Sequence, residues 1–103
     1  MYARIPTFKV SPHRVGDAIH YFEDVSVPQL QKLHGFAGAT MFVDREKGTF
    51  RVVALWDSRE SLEGSREAAK QLRADVAREI GAETVSVDEF EVAVKVPAPA
   101  MAH

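Results

Sequence analysis

The chain has 103 residues, with 13 Lys and Arg against 15 Asp and Glu, no cysteine and a hydrophobic share of 46%. That length allows one domain with one modest core, and a formal charge of −2 lacks the basic surplus of a nucleic-acid-binding face. Without cysteine there is no disulfide framework, thiolate zinc site, iron–sulfur cluster or Cys nucleophile. No apolar run approaches the roughly 20 residues of a membrane span, and Met1 to Pro6 lacks a signal-peptide pattern, so a cytoplasmic single-domain protein is expected.

Tyr2 to Val10 mixes aromatic and β-branched residues and reads as a strand, with Pro6 arguing for an edge position or a bulge. Ser11-Pro12 reads as a helix start, a hydroxyl cap before a proline at the first helical position. Val15, Ile19 and Phe22, then Leu30 and Leu33, give that helix its apolar face. Pro28 predicts a break or kink, with Ser26 to Gln29 as a fresh capping box, and His34-Gly35 closes the helix. Phe36 to Asp44 and Phe50 to Trp56 follow as strands joined by the charged tip Arg45-Glu46-Lys47-Gly48. Asp57 to Glu60 is a capping box for a second helix running to about Ile80. Its buried face is Leu62, Ala69, Leu72, Val76 and Ile80, and Gly64 sets off its first turns as a separate short helix. Glu83 to Val96 is the last strand.

The element order β-α-β-β-α-β is that of a ferredoxin-like α+β domain over residues 1–96, with a disordered Pro/Ala tail over 97–103. In that fold both helices cover one face of the sheet. Yet Val52, Val53, Ala54 and Leu55 are all apolar, as are most of Ala39 to Val43, so both faces are apolar. A second copy of the chain covering the open face resolves this, and a homodimer is the expected partner state.

Three segments carry a family resemblance: Gly35-Phe-Ala-Gly-Ala-Thr40, Val43-Asp-Arg-Glu-Lys-Gly48 and Val53-Ala-Leu-Trp-Asp-Ser-Arg-Glu-Ser-Leu62. They resemble the antibiotic biosynthesis monooxygenase family, with its GF-x-G-A strand, D-R-x-x-G hairpin and W-x-S helix start. The resemblance implies a homodimeric α/β barrel with a small pocket between each sheet and its own helices. It also implies a monooxygenase that needs no cofactor: an acidic aromatic substrate loses a proton, and its electron-rich anion reduces O2 directly. Trp56 stands in the family's Trp position, and Arg73 lies where some members put a pocket arginine; these two are the catalytic candidates. Where polyketide oxygenases of the family carry a His, an Asn and a Tyr, this chain has Phe42, Val52 and Leu62. The pocket implied is therefore apolar, with Tyr21 and Phe22 added from the first helix. The haem-degrading branch needs an Asn on the first strand, where Arg4 or Ile5 stands, and a ligating His on the second helix. No His or Trp occurs between Trp56 and His103, so no haem is expected.

Read by themselves, Trp56 suits a core or pocket wall, and Arg73, among Lys70, Asp75 and Arg78, suits a solvated helix face. Tyr21 suits packing beside Phe22. His13, Asp17, His20 and Asp24 form a helical stripe opposite Val15, Ile19 and Phe22, which reads as a wet face, and no metal site is expected. The expected function is cofactor-independent monooxygenation of a small quinol-like or anthrone-like aromatic. The alternative is a non-catalytic dimer of the same fold that binds a small ligand or serves structurally.

Overall fold

A computed structural model describes residues 1–100 of the chain. Four strands, β1 (Tyr2–Lys9), β2 (Phe36–Asp44), β3 (Thr49–Trp56) and β4 (Glu83–Glu91), form one antiparallel sheet in the order β2-β3-β1-β4. Between β1 and β2 runs one continuous helical stretch. It begins as a 3-10 turn (Pro12–Arg14), continues as α1 (Val15–Tyr21), widens into a π-helical turn (Phe22–Ser26) and ends as α2 (Val27–Gln31). Between β3 and β4 lie α3 (Arg59–Gly64) and α4 (Arg66–Ile80). This is the ferredoxin-like α+β arrangement, and the sheet of the single chain is open rather than closed into a barrel.

Alternation along the strands decides which residues meet the helices. In β3, Phe50, Val52, Ala54 and Trp56 are buried beneath them, while Arg51, Val53 and Leu55 point to the open face. In β1, Arg4 and Phe8 share the helix side, opposite Ala54 and Phe50 of β3. Two clusters fill the interlayer. Phe8, Val10, Val15, Ala18, Phe50 and Ile80 pack at one end, with the Phe8 and Phe50 rings stacked at 4.7 Å. Leu30, Ala54, Trp56, Leu62 and Leu72 pack at the other. Phe42 and Phe90, both 56% exposed, sit on the uncovered face.

Several expectations are corrected. Of the two alternatives for Pro6, the edge is overturned and the irregularity holds: Pro6 lies in a central strand, and β1 is irregular around it. Ile5 and Pro6 have no register partners in β3, although Arg4↔Ala54 and Thr7↔Arg51 bracket them, and the register with β4 shifts between Thr7 and Phe8. Proline has no N–H to give a ladder, so the sheet tolerates it where a rung is missing.

Pro28 does not break the helix. It lacks the N–H that would reach the carbonyl of Asp24, and its ring crowds that carbonyl; the widened turn just before it accommodates both. Ser26 accordingly makes no cap bond, and the helix ends at Gln31 rather than at His34. The cap of α3 is Ser58, whose Oγ accepts the Ser61 N–H at 3.1 Å, and not Asp57. β4 ends at Glu91 rather than Val96, because β1, its partner, begins at Tyr2 opposite Glu91. Of the tail expected to be disordered, residues 97–100 carry no helix or strand, and residues 101–103 lie outside those described.

Two turns fix the strand ends. Gly35 (φ 78°) turns the chain into β2, and its carbonyl accepts the Asp57 N–H at 2.9 Å. At the β2–β3 tip, Asp44 Oδ1 accepts the N–H groups of Glu46 and Lys47, and Gly48 (φ 71°) passes against the Val10 carbonyl.

Candidate active site

A cavity of about 70 Å³ lies between the sheet and the helices. Its floor is Arg4, Pro6 and Phe8 from β1 with Phe50, Val52 and Ala54 from β3. The first helical stretch contributes Ala18, Tyr21, Phe22, Ser26 and Leu30, and α4 contributes Ala69, Leu72, Arg73 and Val76. These residues converge because each element turns one apolar face inward; the polar members are those whose positions fall on the same inward phase.

Of the residues singled out from the sequence, Tyr21, Phe22, Val52 and Arg73 line this cavity. Three others do not. Trp56 is fully buried in the Leu30–Leu72 cluster, on the same sheet face as the floor but not among the residues that line the cavity. Phe42 faces away on the open side of the sheet, paired with Arg51. Leu62 is buried beside Trp56 and edges a separate surface groove. The sequence reading missed Ser26, buried in the widened turn, and the Phe8–Phe50 pair that paves the floor. It also gave no role to Arg4, 3% exposed, although a charge in the Tyr2-Arg4-Pro6-Phe8 phase was the signal.

Burying a guanidinium is costly unless its hydrogens and charge find partners. Arg4 Nε donates to Glu89 Oε2 at 3.0 Å, Nη1 to Ser65 Oγ at 2.9 Å and Nη2 to the Leu62 carbonyl at 2.7 Å. Its guanidinium lies 5.7 Å from the centroid of the Trp56 ring, a cation–π contact. The Trp56 Nε1 hydrogen has no partner among the described residues. Glu89 is shared with Arg66, whose Nη2 reaches Oε1 at 2.7 Å. The Arg66 hydrogen bonds, with those of Arg4, hold the Glu89 carboxyl below its ordinary pKa despite partial burial. Arg73 titrates lower than an ordinary arginine, chiefly through loss of solvent and then through the charge of Arg4. The phenol of Tyr21 is raised by burial and by Asp75 and Glu79, so it stays a protonated donor at neutral pH.

Among the described residues, no carboxylate and no histidine lines the cavity. His13, His20 and His34 are all exposed, and the described residues hold no group of three or more His, Asp or Glu placed to bind a metal.

Similarity to known proteins meets this geometry at the level of fold. The chain superposes on the monooxygenase from the gene ActVA-Orf6 of Streptomyces coelicolor, solved with nanaomycin D, with TM-score 0.71 and 14% identity, covering 94% of this chain and 92% of that one. SnoaB, a cofactor-independent oxygenase from Streptomyces nogalater, matches with TM-score 0.67 and 12% identity over 94% and 97%. The fold is that of the antibiotic biosynthesis monooxygenase (ABM) proteins. The same ABM fold is found in MhuD from Mycobacterium tuberculosis, a heme-degrader solved with two hemes in its active site, with TM-score 0.72 and 20% identity over 94% and 100%.

No family model matches the chain. By sequence it is 35% identical over 86 residues to the uncharacterized protein Rv2557 and 33% identical over 92 residues to Rv2558, both of Mycobacterium tuberculosis. These stretches cover 84% and 88% of this chain but only 38% and 39% of those proteins. The described residues that line the cavity include no histidine that could ligate a haem iron.

Proposed function

We propose that the cavity binds a single-ring quinol or related acidic phenol and that the protein oxygenates it without metal or flavin. The half-buried guanidinium of Arg73 on an otherwise apolar wall carries this reading. A phenolate oxygen beside that charge is stabilised in a site poor in water, which favours loss of the phenolic proton and the developing anion alike. Tyr21 supplies a donor for a second oxygen. The anion passes electrons to O2; one oxygen atom ends on a ring carbon, the other leaves as water, and the quinol becomes a hydroxyquinone. Volume selects ring number. A cavity of about 70 Å³ is roughly half the ~150 Å³ that holds a benzene, so one ring enters by displacing Phe22 or Leu30, and a three-ring anthrone does not. Trp56 acts from beside the cavity, packing against Arg4 rather than stacking on substrate.

A homodimer through the open sheet face, closing a two-sheet barrel, belongs to this reading. Its support is the exposed Phe42 and Phe90 beside the half-exposed Val53 and Leu55. So does a cytoplasmic setting, with its support in a cysteine-free chain and no helix among the described residues long and apolar enough to cross a membrane.

The test is O2 consumption with one-ring quinols in the presence of catalase. Uptake is expected, and Arg73→Met is expected to lower kcat by about 100-fold, the usual cost of losing an oxyanion partner. A second reading is a binding domain without chemistry, favoured by the absence of a carboxylate or histidine base from the cavity walls. Quinol binding without O2 uptake would select it.

A further inference from the structure

The two buried clusters leave a gap where they fail to meet. Phe8, Ala18 and Phe50 of one cluster line the cavity, and Leu30, Ala54 and Leu72 of the other line it too. The side chains around the gap are short. Ala18 of α1, Ala54 of β3 and Ala69 of α4 come from three different elements, are all buried and all line it. Pro6, at the missing rung of β1, belongs to the same floor. A void forfeits the dispersion contacts that its walls would make, and longer side chains at these positions would recover them. The surface that the walls turn toward the cavity is almost wholly apolar. A water molecule there would lack the roughly two to four polar partners that hold one in place. A space of about 70 Å³ has room for a molecule of two atoms. It has none for a ring until a side chain moves, since a cavity that holds benzene measures about 150 Å³.

We propose that the gap is a dry niche for dioxygen, the small apolar reactant of the chemistry proposed above. The choice of dioxygen among small apolar molecules rests on that reading, whereas the dryness and the size are properties of the walls. Dioxygen is uncharged and apolar, so it leaves water for apolar space as a hydrocarbon does. It lies against Phe8 and Phe50, in the cluster at one end of the interlayer. A ring that displaces Phe22 or Leu30 enters at the other end, where those two side chains pack. Both reactants are then held in one space poor in water, which brings them together without further ordering.

Dioxygen is paramagnetic and speeds the relaxation of methyl protons beside it, so its position can be read directly. Methyl relaxation in the full chain is compared under a pressure of dioxygen and the same pressure of nitrogen. Val52 and Leu72 line the cavity, while Val15 and Ile80 are as deeply buried without lining it. The oxygen-dependent rate should be severalfold greater at Val52 and Leu72. Ala54→Val extends a side chain into the gap and should remove that excess. If it fails to fold, Ala69→Leu fills the gap from α4, and the wild-type comparison needs neither variant. No excess in wild type, or an excess that survives in a filled variant, would overturn the proposal. An excess with no O2 uptake on one-ring quinols would leave the niche standing and remove the oxygenase reading. Uptake without an excess would do the reverse.

Discussion

Gly35 turns the chain from the first helical stretch into β2 at φ 78°, where an L side chain is strained, and a Cβ there would run into Ser61 Oγ and Asp57 Oδ1. Both of those groups belong to the start of α3, so the turn and the cap are locked together through the bond from the Asp57 N–H to the Gly35 carbonyl. Gly35→Ala is therefore expected to cost about 2 kcal/mol or more, the sum of left-handed strain and displaced cap groups. Urea unfolding measures it, and a loss below about 0.5 kcal/mol would show that the turn relaxes freely. Single residues are also where the sequence hid most. Val52 and Arg73, which line the cavity, were placed in a pocket by the family resemblance alone; read by its neighbours, Arg73 suits a solvated helix face. Arg4 was not placed there, since its compensating groups lie 58 to 85 residues away along the chain. Its place in the Tyr2-Arg4-Pro6-Phe8 phase was the one local signal, and nothing near it in sequence names the groups that hold the buried guanidinium.

The faces of the elements were readable, and their ends were not. Of the face that helical spacing predicts, Leu62, Ala69, Leu72 and Ile80 are buried and Val76 is half-buried. Boundaries depend on competition between neighbouring groups. Ser58 outcompetes Asp57 for the cap by one residue, and Pro28 is absorbed by one wide turn rather than ending a helix. That wide turn also brings Phe22 and Ser26 to the cavity, so a feature invisible to periodicity shapes the site. Leu72 belongs both to the buried cluster around Trp56 and to the cavity wall. Leu72→Ala should destabilise α4 packing by about 2–4 kcal/mol, toward the low end because the new space merges with an existing cavity. Thermal unfolding followed by circular dichroism measures the loss, and an unchanged midpoint would mean that the helix already sits loosely on the sheet.

For the molecule as a whole, two apolar phases in β3 gave away an uncovered sheet face, but the pairing register was needed to say that Val53 and Leu55 occupy it. With Phe42 and Phe90 on the same side, this face is an extended apolar surface of the kind that marks an interface. The proposed dimer should give twice the chain mass by light scattering at micromolar concentration, and Val53→Glu, at the middle of that face, should shift it toward monomer without loss of helix content. A wild-type monomer under those conditions would sink the proposal.

The sheet order carries a further consequence. With β1 and β4 adjacent and antiparallel, the Val92 N–H donates to the Met1 carbonyl at 2.9 Å. The folded unit thus enters and leaves at one corner, so its connectivity is nearly circular. A linker of a few residues would join the two positions, and new ends opened at the exposed Glu46-Lys47 tip would leave all four strands intact. A unit of this kind can be spliced into a surface loop of a larger polypeptide, or strung head to tail with another, without its sheet being rewoven.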